Sequence, residues 1–454
     1  MNVLSFSYCF PHARAPAWGV FVERRLAALA RRPGVELQVV APVPSFPLVT
    51  RWRRGSVPAQ EQWNGLTVHR PRFFSVPGVL KSLDAKFYAR GLRRQMEARC
   101  QVSGVRCQEG EAGDRRSEKG DGDPLTRTTD CLSAPLTPDT CHLTPGMWRP
   151  DVLDAHFIWP DGVAVALLAR RLGIPYVITL RGLLWVSFLH PRIKKQSIEA
   201  MKHASAVISL SKSMVDVCCE LGVPHEKFTV IHNGVDRSVF SIGDKEEARR
   251  RLGLPIDKKL IVCVAYYQRR KGLLELIRAL ASLPSDVHLV LVGSKIAQER
   301  RFYRRVFLEI ERLGLASRVR HEGQQPHERI AQYFQAGDVT ALPSYWEGCP
   351  NAVVESLACG TPVVATPVGA VPDMVVPGRN GEIVPPRDSE ALAAALSQAL
   401  GRYWNPEDVR RGVKSWDEVA EQVHQVLDAA CQPGCREFDN YRTFQTWRAE
   451  FSAE

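Results

Sequence analysis

Short apolar runs alternate with amphipathic segments along nearly the whole chain, and this alternation constrains the fold more than any other feature. Residues 2–7 (NVLSFS) read as a buried strand, a helix follows from about Val20 to Arg31, and ELQVVAP is the next strand after the Pro33-Gly34 turn. The alternation resumes with DVLDAH, a helix from Gly162 to Leu172 with Asp161 as its N-cap, and IPYVITL, which ends at Arg181. A helix over 192–204, the strand SAVISLS, a helix ending at Gly222 and FTVIHNGVD complete this half. The second half repeats the plan: LIVCVAYY, a helix from Leu273, VHLVLVGS, a helix over 297–313, RVRHEG, a helix over 327–335, VTALPS, a helix over 351–358, and PVVAT. Strands that are apolar on both faces and separated by helices specify parallel sheets covered on both sides. The reading is α/β, with two doubly wound domains.

The predicted domains are 1–240 and 241–415, with a boundary near 236–245, followed by a segment 416–454 whose amphipathic helix packs back on the body. Within the first domain, residues 101–147 lack aromatics and include GEAGDRRSEKGDGDP, so they read as a disordered insertion or long surface loop. Asp121-Gly-Asp123 in that stretch has the form of a metal-binding DxD, but alternating charge in a loop is its setting and no metal site is assigned.

Composition removes other classes. The 454 residues are 45% hydrophobic and 24% charged, which suits globular domains and not a collagenous, coiled-coil or wholly disordered chain. The start MNVLSFSYCFPHARAPAWG lacks the cationic and apolar regions of a signal peptide, and no run approaches the ~20 apolar residues of a bilayer span. The expected location is cytoplasmic, with the 12 cysteines as reduced thiols. A net charge of +11 attracts polyanions. Arg51, Arg53 and Arg54 surround Trp52, and Lys81, Lys86, Arg90, Arg93 and Arg94 follow on one helix. That distribution leaves open a solvated face or a patch on the inner, anionic face of the cell membrane, while no nucleic-acid motif accompanies it.

Ligands of open parallel sheets bind beyond the carboxyl ends of the strands. The residues there are Gly19, His156 and Arg181 in the first domain, and Arg269, Arg270, Lys271, Gly293, Gln325, Glu347 and Asn351 in the second. Neither GxGxxG after a strand nor GxxxxGK[ST] is present, and GxSxG and HExxH are missing too, which removes the usual dehydrogenase, P-loop, hydrolase and zincin readings. Arg269-Arg270-Lys271-Gly272 and Gly19 each open a helix, where unpaired N–H groups and fixed cations suit a diphosphate. In PSYWEGCPNAVVESLACGTPVVAT, Asn351 and Glu355 fall on one helix face and Glu347 lies in the preceding loop. Carboxylates that accept from vicinal hydroxyls, beside cations that hold phosphates, are the parts a nucleotide-sugar requires.

With these residues in view, the chain resembles the GT-B glycosyltransferases of family 4, a retaining group with two Rossmann-like domains facing across a cleft. The resemblance rests on Glu347-x7-Glu355, VIHNGVD, the Lys271-Gly272 helix start and the Gly19 element with FVERR, and it leaves out only about 101–147 and the last twenty or so residues. AHF..PDG and TLRG look closest to bacterial enzymes of exopolysaccharide and other surface glycans. The resemblance implies that Glu355 binds the ribose hydroxyls, Glu347 the transferred sugar and Lys271 the diphosphate. The backbone around Gly348, Cys349, Pro350 and Asn351 would support the sugar, Gly19 would admit the phosphates, and Arg181 would lie near the sugar or acceptor. It further implies hexosyl transfer with retained configuration, no metal or cofactor beyond the sugar-nucleotide co-substrate, and a glycan or lipid-linked acceptor. Relatives usually carry an Arg five or six positions before the Lys, where this chain has Tyr266 and Ala265, so Arg269 or Arg270 must substitute or a phosphate contact is missing. Leu183-Leu184 replaces a usual Ser-Asp pair. Those departures keep a non-catalytic nucleotide-sugar-binding component of an assembly complex in play, and the fold also serves nucleotide-sugar epimerases.

Overall fold

The structure, a computed structural model, describes residues 1–45, 57–76, 81–99, 148–182 and 188–432, and across 93–99 the backbone alone. The Trp52 cluster, the side chains of Arg93 and Arg94, the 101–147 insertion, Leu183-Leu184 and the tail from 433 lie outside the described residues.

Two sheets carry the architecture. The first joins β1 (Asn2–Phe6), β2 (Glu36–Val40), β4 (Gln60–Trp63), β5 (Leu66–His69), β7 (Val152–His156), β8 (Tyr176–Leu180), β9 (Ala206–Ser209) and β10 (Phe228–Val230) in the order β10-β9-β8-β7-β1-β2-β5-β4. All its pairs are parallel except β4 with β5. The second is parallel throughout, β13-β12-β11-β14-β15-β16, from β11 (Lys259–Val264), β12 (Val287–Val292), β13 (Val319–Gly323), β14 (Val339–Leu342), β15 (Val363–Ala365) and β16 (Gly381–Ile383). A small parallel pair, β3 (Val43–Ser45) with β6 (Arg72–Phe74), lies beside the first sheet.

Successive strand residues point to opposite faces, and both faces are buried. In the first sheet Val3, Val152 and Val177 pack with Val22, Leu26 and Leu29 of the helix Val20–Ala30. Leu4, Leu153 and Ile178 pack on the other side with Val165 and Leu168 of the helix Val163–Leu172. In the second sheet the helix Leu273–Ala281 buries Leu273, Leu276, Ile277 and Leu280 against Ile261 and Leu289. Each such fully buried side chain contributes about 1.5–3 kcal/mol.

The last described helix, Trp416–Cys431, has a capping box in which Ser415 and Glu418 satisfy each other's backbone N–H groups. It crosses back to the first domain, where Trp416, Val419, Val423 and Leu427 pack with the helix Val20–Ala30 and Arg31 pairs with Asp417 at 2.6 Å. The chain therefore passes between the domains twice, and the passages are paired: Val235 N–H donates to Lys414 O at 3.0 Å and Trp416 N–H to Val235 O at 3.2 Å. Gly234 permits this approach, because a Cβ there would sit 2.8 Å from the Ser415 backbone.

Some local expectations are corrected. Asp161 does not cap the helix after β7: a wide turn, Ile158–Gly162, precedes Val163, and the Asp161 carboxylate is buried, accepting from Tyr8 N–H at 3.0 Å and Tyr88 Oη–H at 2.9 Å. The predicted helix 297–313 is a 3-10 turn Ala297–Glu299 followed by the helix Arg300–Arg312. The β4–β5 hairpin and the helix Ser389–Gly401 were not anticipated.

Candidate active site

Strand β14 runs into Ser344, and the loop from there to the helix Asn351–Ala358 brings Glu347 over the 3-10 turn Arg269–Lys271. Lys271 Nζ donates to Glu347 Oε1 at 2.5 Å, Ser344 Oγ to the same oxygen at 2.8 Å, and Arg270 Nη1 to Oε2 at 2.9 Å. Arg270 also stacks on Trp346, 4.8 Å from the ring centre, and donates to Gln268 Oε1. Arg269 is exposed on the same turn. Of the two candidate arginines, then, Arg270 is the one bonded to Glu347. Tyr266, one of the two positions at which the resemblance leads one to expect an Arg, is 45% exposed.

The Glu347 side chain is only 8% exposed. Burial works to raise its pKa, but Lys271 and then Arg270 outweigh that and hold it below the usual carboxylate range. Burial lowers the Lys271 value, against the pull of Glu347. Gly272 makes the turn possible, with φ of +65° and a position where a Cβ would lie 1.9 Å from Pro343 O.

One turn into the helix Asn351–Ala358, Glu355 has no hydrogen bond to its carboxylate among the described residues, and burial pushes it up to about 7, opposed only by Arg24. Such a group is suited to accept from hydroxyls brought by a ligand. Asn351 and Glu355 occupy one face, while Val353, Val354 and Leu357 are buried. Cys349 is a free thiol that burial pushes up to about 12, so it is unreactive near neutral pH. Gly348 O accepts from Ala370 N–H at 2.8 Å.

The first domain meets this loop directly. Gly182 and Gly348 touch backbone to backbone, since a Cβ on Gly182 would be 3.2 Å from Gly348 Cα. Arg181 donates from Nε to His156 Nδ1 at 2.8 Å and from Nη1 to Asn233 Oδ1 at 3.2 Å, and Asn233 Nδ2 donates to Asn351 Oδ1 at 2.8 Å. Gly19 precedes the helix Val20–Ala30 with φ of +76°, and a Cβ would lie 2.2 Å from Cys9 O. Lys212 N–H donates to Asp373 Oδ2 at 2.9 Å, a further contact between domains. Gln325 Nε2 donates to Glu322 O at 2.6 Å, and Gly293 N–H to Gly323 O. A separate hollow between β9–β10 and the C-terminal helix is lined by Ser205, Thr229, Gln422 and Gln425 and by no titratable group.

Three residues of this constellation were not singled out as site residues. Ser344 bonds Glu347, Asn233 links Arg181 to Asn351, and Asp154 lies behind His156. Asp154 had a legible signal, a carboxylate inside an apolar strand two residues before His156.

The profile described as "Glycosyltransferase Family 4" matches residues 132–239, and "Glycosyl transferases group 1" matches residues 244–416. A D-inositol 3-phosphate glycosyltransferase of Nocardiopsis dassonvillei is 31% identical over 62% of this chain and 71% of its own. The chain belongs to the GT-B glycosyltransferases of family 4. Over a longer span, this glycosyltransferase is 27% identical to TuaC of Bacillus subtilis (strain 168), a protein named for teichuronic acid biosynthesis, with 98% of each chain covered. Its fold is shared with Anabaena HepE, at a TM-score of 0.66 and 19% identity over 94% of this chain and 99% of that one. Among the described residues of the glycosyltransferase, no cluster of three or more His, Cys, Asp or Glu is placed to hold a metal ion, and no helix is long and apolar enough to cross a membrane.

Proposed function

We infer that the protein transfers a hexose-type sugar from a nucleoside-diphosphate sugar to a glycan or lipid-linked acceptor in bacterial polysaccharide biosynthesis, with retained anomeric configuration and without a metal. The observation that carries this reading is the pairing of an occupied and an unoccupied carboxylate. Glu347 is held by Lys271, Arg270 and Ser344, whereas Glu355 has no protein donor among the described residues. In this reading Glu355 accepts from the ribose and Glu347 from the sugar, while Lys271 and Arg270 turn to the diphosphate. Cations fixed where charge develops on the leaving group lower the barrier. The acceptor attacks from the leaving-group side and a phosphate oxygen takes its proton.

Structures of HepE with UDP, with UDP and glucose, and with UDP-glucose support a nucleotide-sugar donor, and the name of TuaC supports a surface-glycan product. Exposed Tyr266 at the place of an Arg favours a second reading, a binding component without turnover. A thermal-shift panel of UDP- and GDP-sugars on wild type and Lys271→Ala, without metal, tests the donor site. A specific donor at 100 times its Kd should add about 2.7 kcal/mol, and Lys271→Ala should lose that gain. No shift at millimolar donor would overturn the reading, and binding without nucleotide release in the presence of acceptor glycans would select the second. In the same reading, the charge of Arg51, Arg53 and Arg54 around Trp52 would hold the protein peripherally on the inner membrane face, the alternative being a solvated face. Unchanged sedimentation with anionic vesicles after neutralising those three residues would refute that placement.

A further inference from the structure

Strand β7 is buried along all five residues, yet it contains a carboxylate. Asp154 and His156, two apart, point to the same face. An ionised carboxylate so placed is costly unless several donors meet it. Ser5 Oγ donates to Asp154 Oδ2 at 3.0 Å and His156 Nε2 lies 3.0 Å from the same oxygen. The fully buried Arg25 adds positive charge nearby. Although burial opposes it, this company, with His156 foremost, holds Asp154 well below the usual carboxylate range.

The protons on this chain of groups follow from chemistry. Arg181 Nε can only donate, so His156 Nδ1, 2.8 Å away, must accept. The ring proton is therefore on Nε2, facing Asp154, which can only accept. A second ring proton would set N–H against N–H at Arg181, and the ring stays neutral, its value lowered to about 4 chiefly by burial. Beyond the ring, Arg181 lies over Phe21 at 5.3 Å and bonds Asn233 through Nη1, while its buried Nη2 has no partner among the described residues.

We propose that Asp154 is a positioning residue for Arg181, acting by fixing the tautomer of His156 so that the guanidinium presents Nη2 to the sugar-diphosphate of the donor. The proposal rests on the donor reading given above, but its first test does not. In the full chain labelled with 15N-histidine, the His156 signal, assigned by its loss in His156→Gln, should report the Nε2–H tautomer at neutral pH. His156 Nε2 also lies 3.1 Å from Ser5 Oγ; in Asp154→Asn the amide nitrogen can face Nε2, so an Nδ1–H population absent from wild type should appear, and Arg181 should lose its acceptor in that fraction.

Binding of UDP and UDP-glucose, with UDP release to water as the turnover assay, reads the consequence. Asp154→Asn should leave UDP affinity within about twofold, weaken UDP-glucose about fivefold or more, and slow release roughly 10- to 100-fold. In the His156→Gln background, where the Gln oxygen accepts from Arg181 whatever Asp154 does, adding Asp154→Asn should change each quantity by less than about twofold. An Nδ1–H or doubly protonated ring in wild type, or equal penalties in both backgrounds, would overturn the proposal. Should Asp154→Asn fail to fold, His156→Gln against His156→Leu carries the test: Gln keeps UDP-glucose affinity and Leu loses it, and equal losses overturn the proposal. If wild type bound neither UDP nor UDP-glucose, the same comparison would be run with the GDP-sugar that stabilises it; binding of no nucleotide sugar would end the donor reading, while the tautomer would still decide the relay.

Discussion

Lys271 and Glu347 form an ion pair of 2.5 Å in which the lysine occupies the carboxylate oxygen that Ser344 also holds, while Arg270 takes the other. Both oxygens of the Glu347 carboxylate are thus held by protein donors. On the proposed reading, a donor would exchange those bonds, giving its diphosphate to the cations and its hydroxyls to Glu347.

Glu347→Gln separates these roles. The variant should bind UDP at least as tightly as wild type, because the cations are released from competition, and its turnover should fall about 10²–10³-fold through loss of the sugar contact. Calorimetry with UDP and nucleotide-release rates check this. A tenfold loss of UDP affinity would mean that Glu347 holds the cations in place instead of competing for them.

Glu355 predicts opposite effects on stability and binding. Its value in the folded protein, about 7, exceeds the ordinary 4.5, so its stabilising protonated form is fully present below about 4.5 and lost as pH rises through 7. Glu355→Gln should therefore melt at the same temperature as wild type at pH 4.5 or just below, and roughly 1–3 °C higher at pH 8. At pH 8 the same variant should bind UDP more weakly, since the carboxylate is the better acceptor. Equal melting temperatures at pH 8 would show that the ionised group is not strained.

Gly182 and Gly348 meet with no room for side chains. Gly348→Ala should hold the loops apart, leaving UDP affinity within about threefold but lowering turnover by about tenfold or more, because 1 Å of misplacement is costly to the reacting geometry. A variant with wild-type turnover would show that this contact is not part of the reactive arrangement.

His156 gives the stability an acid limb. Its folded value, about 4, lies below the ordinary 6.5, so the stability it confers is present above 6.5 and lost as pH falls toward 4. Asp154, held low, adds a loss only at still lower pH. Denaturant titrations should show stability falling between pH 6.5 and 4 in wild type and a flatter course in His156→Gln. An unchanged slope would assign the limb to other groups.

The sheets were legible because their strands are buried on both faces, as in β7, β8 and β11, where apolar runs leave no other reading. The hairpin β4–β5 was missed although Asn64-Gly65 is a strong turn signal and both residues have positive φ. Gln60, Glu61 and Gln62 lack the apolar alternation on which the strands were identified. Asp161 misled because an Asp before an apolar helix usually caps it, whereas here tertiary donors, Tyr8 and Tyr88, claim it. At the site, Glu347 and Lys271 were read from one contiguous motif and one helix start. The contact of Arg270, and not Arg269, with Glu347 and the contacts of His156 with Asp154 and Arg181 depend on side-chain direction and on contacts between strands, which no local pattern encodes.

The paired passages at Val235 and Ser415 make the junction between the domains a two-stranded ribbon. A single strand would let one half swivel in any sense, but a ribbon bends across its width and resists torsion. Any hinge motion between the halves would be confined by this bridge to bending in one sense, and would carry the Gly182 and Gly348 loops apart and together along one arc.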